Sequence, residues 1–296
     1  RFGVEHRKML IDKGYNIEVL AMTATPIPRT LAFAIHGDMD ISIIDELPKN
    51  RLPIITKVVE HEKLNDVYEF MKKQMDSGRQ CFIVYPLIEE SEKLDLQAAE
   101  SGYAKLKDTI FEDYSVGYIH GKMKKDERDE QMDKFINGEI NLLVSTTVIE
   151  VGIDNPNATV MIIENAERFG LTQLHQLRGR IGRGAQQSYC ILVQRKHTPI
   201  ANHRLKVMEN TQNGFKISDE DLKLRGPGEF FGKRQHGYLK TKIADISKDF
   251  DIIKYARNLA FDIVQDDCEL KNPEHKNIKN ELIYRYSNML EFIEIG

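Results

Sequence analysis

Six short apolar runs punctuate the first two hundred residues, and they constrain the fold more than any other feature of the chain. They are IEVLAMTAT (17–25), QCFIVYP (80–86), SVGYIHG (115–121), NLLVSTT (141–147), ATVMIIE (158–164) and SYCILVQ (188–194). Each is nearly continuous in apolar character and lacks the in/out alternation of a half-exposed strand. That pattern belongs to strands buried on both faces. Amphipathic helical stretches separate them, such as EKLNDVYEFMKKQMDSG and KKDERDEQMDKFINGE. In the second stretch Met132, Phe135 and Ile136 share a face, and Gly138 marks a stop. Strand and helix alternating in this way predict an α/β fold: a parallel sheet with helices on both faces. From about residue 200 the apolar runs cease and the chain reads as helical with glycine-rich breaks. DIIKYARNLAFDIV carries apolar residues at 252, 253, 256, 259, 260, 263 and 264, a helical stripe expected to pack into a core. KNPEHKNIKN reads as a polar linker before a last helix, ELIYRYSNMLEFI.

With 296 residues the chain accommodates roughly two domains. No run of about 18 apolar residues is present, so no membrane span is expected. The first ten residues, RFGVEHRKML, lack the apolar core of a signal peptide. Cys81, Cys190 and Cys268 are far apart and without ligand spacing, which suits reduced thiols and predicts no metal site. A net charge of −4 does not advertise nucleic-acid binding, but its distribution is uneven. Between Arg195 and Lys242 stand eleven Lys/Arg against five Asp/Glu, whereas acids outnumber bases from Ile243 onward.

Polar segments follow several of the strands, and in open α/β sheets ligands sit at the carboxyl ends of strands. TATPIPRT presents Thr23 and Thr25. TTVIEVGIDNPNA gathers Thr146, Thr147, Glu150, Gly152 and Asp154. QLHQLRGRIGRG (173–184) places Arg178, Arg180 and Arg183 among three glycines. A solvated basic helix end explains the arginines but not the glycines, each of which costs about 1 kcal/mol in a helix interior. Their presence predicts a helix that stops, or a close approach by something else. Guanidinium groups beside bare backbone suit a phosphate chain.

TATPIPR, VSTTVIEVGIDNPNA and QLHQLRGRIGR resemble motifs III, V and VI of the superfamily-two helicases. The opening RFG resembles the residues just after the Asp-Glu-x-His box of one branch, the double-strand DNA translocases that include transcription-repair coupling factors. DLKLRGPGEFFGKRQHG (221–237) resembles the translocation motif of that branch. IIDELPKNRLP (43–53) and the proline of RGPGE favour its branch-migration helicases, which act on stalled forks. The resemblance runs from the first residue to about 250. No GxxxxGK[ST] phosphate loop occurs, since Lys122 and Lys233 follow glycines but precede Met and Arg. The Asp-Glu-x-His box is absent too. SIIDE (42–46) imitates a strand ending in a magnesium-binding pair, but it lies after TATPIPR, the wrong order, and reads as a connector between lobes.

The resemblance implies a RecA-like fold and a fragment of a larger motor. Residues 1–50 would be the end of the first lobe and a connector, 51–200 the second lobe, and 201–296 a translocation hairpin with a helical C-terminal region. It implies ATP-dependent helicase activity in the full-length protein, remodelling stalled forks and Holliday junctions in recombination and repair. Arg180 and Arg183 match the two motif VI arginines, with Arg183 the preferred finger and Gln176 beside the γ-phosphate. Arg178 is expected to be structural or paired with an acid. Asp154, Gly152, Thr23 and Thr25 would bind or couple to nucleotide; Thr146, Thr147 and His120 would grip DNA; Arg204, Arg225 and Gln235 would relay lobe motion into duplex movement. The implied cofactors are ATP and Mg2+, bound mainly by the first lobe. The implied partners are branched or duplex DNA, the first lobe and fork-binding domain of the same protein, and single-strand DNA-binding protein. The implied location is cytoplasmic, at the bacterial nucleoid, with no membrane partner. Two alternatives stand beside this reading: the motor of a transcription-repair coupling factor, and a non-catalytic nucleic-acid-binding module.

Overall fold

The computed structural model describes residues 20, 22–23, 42–46, 51–87, 92–147, 155–225 and 249–290. Strands β1 (Ile55–Glu60), β2 (Gln80–Val84), β3 (Val116–Ile119), β4 (Leu142–Ser145), β5 (Ala158–Ile163) and β6 (Tyr189–Gln194) form one sheet. Their order is β1-β6-β5-β2-β4-β3, and every neighbouring pair is parallel. Parallel neighbours require crossovers. Helices α1 (Leu64–Asp76), α2 (Glu92–Lys105), α3 (Lys125–Ile136) and α4 (Leu171–Arg178) lie on four of them.

Continuous apolar strands bury both faces, as expected. In β2, Cys81 and Ile83 point into one core while Phe82 and Val84 point into the other. The first core takes Leu64, Val67, Met71 and Met75 from α1, whose spacing puts them on one helical face. The second takes Phe135 from α3 and Leu171, Leu174 and Leu177 from α4. Ile136, expected beside Phe135, is instead 48% exposed at the end of α3, where Phe135 and the half-buried Met132 face the core. Strand β1 was not among the expected runs. Its sequence ITKVVE is interrupted by Lys57, and as the edge strand it buries only Thr56. The expected strand at 17–25 lies almost wholly outside the described residues.

After β6 the chain forms a helical hairpin, α5 (Pro199–Asn210) and α6 (Gly214–Arg225). The Thr198 hydroxyl accepts the Ala201 N–H at 3.1 Å and caps α5, and a proline occupies its first turn. Asn213 does the same for α6, accepting from Phe215 and Lys216. The hairpin sends Leu205, Met208 and Ile217 into the core beneath α4, so it packs as part of the sheet unit.

Helices α7 (Phe250–Asp266) and α8 (Lys276–Leu290) complete the described chain. The stripe of α7 does not enter a core: Ile252 is 62% exposed, Leu259 45% and Val264 53%. The expectation of core packing is corrected here, because periodicity specifies a helix and an apolar face without specifying what covers it. The polar stretch expected as a linker is largely ordered as well. Asp267 accepts from the Lys271 and Asn272 amides, Pro273–His275 form a 3-10 turn, and α8 starts at Lys276. No helix among the described residues is long and apolar enough to cross a membrane.

Candidate functional site

The arginine-glycine stretch closes α4. Gly179 comes directly after the helix and donates its N–H to the His175 carbonyl at 3.0 Å. Gly182 adopts φ +71°, and a β-carbon there would sit 2.9 Å from Ile54 Cγ1. At Gly184 a β-carbon would meet the Pro156 carbonyl oxygen at 2.6 Å. A helix stop and close approaches are both present, each at its own glycine. Arg180 is half-buried and Arg183 exposed, and Gln176 lies half-buried on α4. Arg51, just before β1, donates through Nε to the Gly182 carbonyl at 3.0 Å and reaches the Ile181 carbonyl with Nη2 at 3.4 Å. The segment carrying Arg183 is therefore fastened from outside.

Arg178 plays the structural part. It is 2% exposed and donates to the Met208 carbonyl at 2.8 Å, the Thr211 carbonyl at 2.9 Å and Thr56 Oγ1 at 3.3 Å. Its partners are carbonyls at the C-terminal end of α5, where the helix dipole is negative, and not the acid that sequence left open. His175 Nδ1 lies 3.2 Å from the Arg178 guanidinium. Burial first, and the Arg178 charge second, push His175 down to about 4. The imidazole is then neutral at pH 7, with Nδ1 free to accept from the guanidinium.

The fold corrects one expectation about place. The arginine segment does not lie at the carboxyl end of the sheet. Helix α4 starts beyond the end of β5 and carries the chain back by about 12 Å, eight residues at 1.5 Å each. Arg180, Arg183 and Gly184 thus reach the amino edge, beside Ile54, which precedes β1, and Pro156, which precedes β5. The distal end of the motif V segment is at that edge too. Asn155 is buried and donates to Gln80 Oε1 at 3.0 Å, while Gln80 donates to the Phe135 and Ile140 carbonyls. Asn157 adds a second bond to Gln80 Oε1 at 3.1 Å.

Thr146, Thr147 and His120 do occupy the carboxyl edge, at the ends of β4 and β3. The two strands are neighbours, and the Thr146 amide donates to the Ile119 carbonyl at 3.3 Å. Thr146 itself is fully buried, with Oγ1 turned inward and lacking a hydrogen-bond partner among the described residues. In this arrangement its hydroxyl cannot reach a phosphate, which corrects the expectation for that side chain. Thr147 and His120 are half-buried and accessible. The His120 ring lies 5.2 Å from Tyr118, which stacks on Tyr103 at 5.0 Å. His120 Nδ1 accepts the Lys122 amide at 3.3 Å.

The hairpin grips α4 at both ends. Arg178 holds the C-terminal end of α4 to α5. At the other end Thr172 donates to Asp221 Oδ2 at 3.2 Å, and Arg225 Nε donates to Asp221 Oδ1 at 3.1 Å. Arg225 also lies against Gly170, where a β-carbon would meet its Nη2 at 2.5 Å. Arg204 donates to the Phe169 carbonyl at 2.7 Å and the Glu167 carbonyl at 3.0 Å, bracing the turn into α4. Thr23 is exposed, and residues 42–46 form no strand and are exposed. Thr25, Gly152, Asp154 and Gln235 lie outside the described residues. Sequence reasoning missed Gln80, Arg51 and Gln212. The signal for Gln80 was a lone amide opening an apolar strand; the other two carry no local signature.

Residues 62–185 match the helicase conserved C-terminal domain, and residues 211–291 match the C-terminal part of domain 3 of the ATP-dependent DNA helicase RecG. The chain is 48% identical to the ATP-dependent DNA helicase RecG of Bacillus subtilis (strain 168) over 283 residues, covering 96% of this chain and 42% of that protein. Against RecG of Thermotoga maritima (strain ATCC 43589 / DSM 3109 / JCM 10099 / NBRC 100826 / MSB8) it is 48% identical over 270 residues, covering 91% of this chain and 35% of the relative. The solved structure of RecG bound to a three-way DNA junction superposes with a TM-score of 0.64 and 43% identity, over 82% of this chain and 32% of that one. The chain spans about two fifths of the length of these curated relatives.

Proposed function

We propose that this chain, homologous along nearly its whole length to the ATP-dependent DNA helicases RecG, is the second motor lobe and coupling hairpin of an ATP-driven translocase that remodels branched DNA. Residues 1–50 would end the first lobe and form the connector, 51–200 the second lobe, and 201–296 the hairpin and C-terminal helices. The observation that carries this reading is the separation of two edges of one sheet. Arg180 and Arg183 occupy the amino edge on a segment shaped by glycines and held by Arg51. Thr147 and His120 occupy the carboxyl edge.

The amino edge offers guanidinium groups and bare backbone, a donor set that fits the γ-phosphate of ATP. Arg183 would stabilise the charge of phosphoryl transfer, with Arg180 and Gln176 beside it and Asp154 nearby in sequence. Mg2+ would accompany the nucleotide on its phosphates and on one or two carboxylates, which the first lobe would supply. Thr147 and His120 would contact phosphates of the DNA track. Arg204 and Arg225, with Gln235, would carry lobe motion into the duplex. The full-length protein would act on forks and Holliday junctions in the bacterial cytoplasm at the nucleoid, with single-strand DNA-binding protein as a further partner.

The test uses the full-length protein with a labelled three-way junction and a linear duplex of equal length. Strand separation that requires ATP and is faster on the junction is expected. A protein that separates neither substrate, or acts equally without ATP, would contradict the proposal.

A further inference from the structure

Three segments remote in sequence meet at the amino edge: the stretch entering β1, the arginine segment after α4, and the bend between α5 and α6. Gln212 sits in that bend, and its side-chain amide makes a two-way clasp on the backbone of Ile54. The Ile54 N–H donates to Gln212 Oε1 at 3.1 Å, and Gln212 Nε2 donates to the Ile54 carbonyl at 2.9 Å. Ile54 in turn packs on Gly182, where no side chain larger than hydrogen fits without displacement. Three residues earlier, Arg51 holds the Ile181 and Gly182 carbonyls. Arg178 completes the junction by joining Thr56 of β1 to the carbonyls of Met208 and Thr211, the residue before Gln212.

Gln212 is exposed, as are its neighbours Leu52, Pro53 and Asn213. A solvated glutamine would not ordinarily hold one geometry, since fixing it costs side-chain entropy. Here both polar ends of the amide are matched to the donor and acceptor of a single residue, the pairing that a neighbouring strand would supply. The clasp therefore extends the β1 edge into the hairpin bend. It contributes little to the core, because Gln212 stays at the surface.

We infer that Gln212 is a positioning residue that ties the entry to β1 to the hairpin bend, so that displacement of the segment bearing Arg183 is passed to α5 and α6. The inference rests on the reading of this chain as a motor lobe with a coupling hairpin. The contacts at Arg204 and Arg225 hold the opposite end of α4. Loss of the Gln212 clasp therefore loosens the link between the entry to β1 and the bend, while Arg178 still ties α4 to the end of α5 and the far attachment stays intact. Both bonds of the clasp are made to Ile54 and neither to Arg180 or Arg183, so ATP turnover is separable from its mechanical use.

The experiment uses the full-length protein with Gln212→Ala and with Gln212→Met, which keeps side-chain length without either hydrogen bond. DNA-stimulated ATP hydrolysis, junction unwinding and thermal melting are measured on the same preparations. Both variants are expected to hydrolyse ATP within about twofold of wild type, while junctions unwound per ATP fall about fivefold or more, within the range single residues carry in coupled networks. Melting temperature is expected to stay within about 2 °C. Wild-type unwinding per ATP in both variants would overturn the inference. So would parallel loss of hydrolysis and unwinding with a lower melting temperature, which would make Gln212 a scaffold residue. A wild-type protein that shows no DNA-stimulated hydrolysis would instead remove the motor reading, and the inference with it.

Discussion

Gly184→Ala places the contact between two candidate nucleotide-facing segments under direct strain. The added β-carbon would lie 2.6 Å from the Pro156 carbonyl oxygen, a backbone atom that no rotamer change can move. A comfortable carbon–oxygen contact is about 3.3 Å, so the two segments must part by about 0.7 Å. Forcing an extra methyl into such a contact costs about 1–3 kcal/mol. The kinetic cost exceeds the stability cost, because a misplacement near 1 Å at a catalytic group lowers rate by about 100-fold. ATP turnover by the full-length variant is therefore expected to fall about 10- to 100-fold while the protein stays folded. Gly138→Ala is the matched control. Gly138 has φ +82° but nothing within 4 Å of its added β-carbon, so the change costs about 1–2 kcal/mol of backbone strain without moving the site. Steady-state phosphate release and denaturant melts on both variants decide the matter. Full turnover in Gly184→Ala, or equal loss in both variants, would refute the reasoning.

His175 makes stability depend on pH. Its folded value of about 4 lies below the unfolded value near 6.5, so the unfolded chain binds more protons across that window and stability falls as pH drops through it. The loss is about 2–3 kcal/mol between pH 6.5 and 4, and His175→Gln should flatten that slope in urea titrations; an unchanged slope would exclude His175 as its source. The 296-residue chain alone is expected to release no phosphate from ATP with duplex DNA present, because it carries no GK[ST] phosphate loop. Turnover above background would place the site elsewhere. Arg225→Ala and Gln235→Ala in the full-length protein should keep DNA-stimulated ATPase within a few-fold while fork unwinding falls much further. If both activities and the melting temperature fell together, the region would be a scaffold.

The buried strands were legible because residues such as Phe82, Ile83, Met161 and Ile162 must be apolar on both sides of a covered sheet. Strand β1 was not, because Thr56 and Lys57 interrupt its apolar run. The arginine segment pointed to phosphate binding through its composition, a role that stands as a proposal, and its place depended on the direction in which α4 runs, which no local pattern encodes. Thr146 shows the same limit: its type suits a phosphate, yet its position at the end of β4 turns the hydroxyl into the core. Arg178 was open between two roles, and only the meeting of α4 with the end of α5 decides for carbonyl partners. The Gln212 clasp joins residues 158 apart in sequence and leaves no trace in either segment.

The central claim is that Arg183 serves the nucleotide and not the DNA track, and one substitution tests it. In the full-length protein Arg183→Ala is expected to lower DNA-stimulated ATP turnover by about 1000-fold, the scale of an arginine finger, with junction affinity at fixed salt nearly unchanged. A variant that hydrolyses ATP at the wild-type rate but loses affinity for the junction would contradict the account and make this segment a DNA clamp.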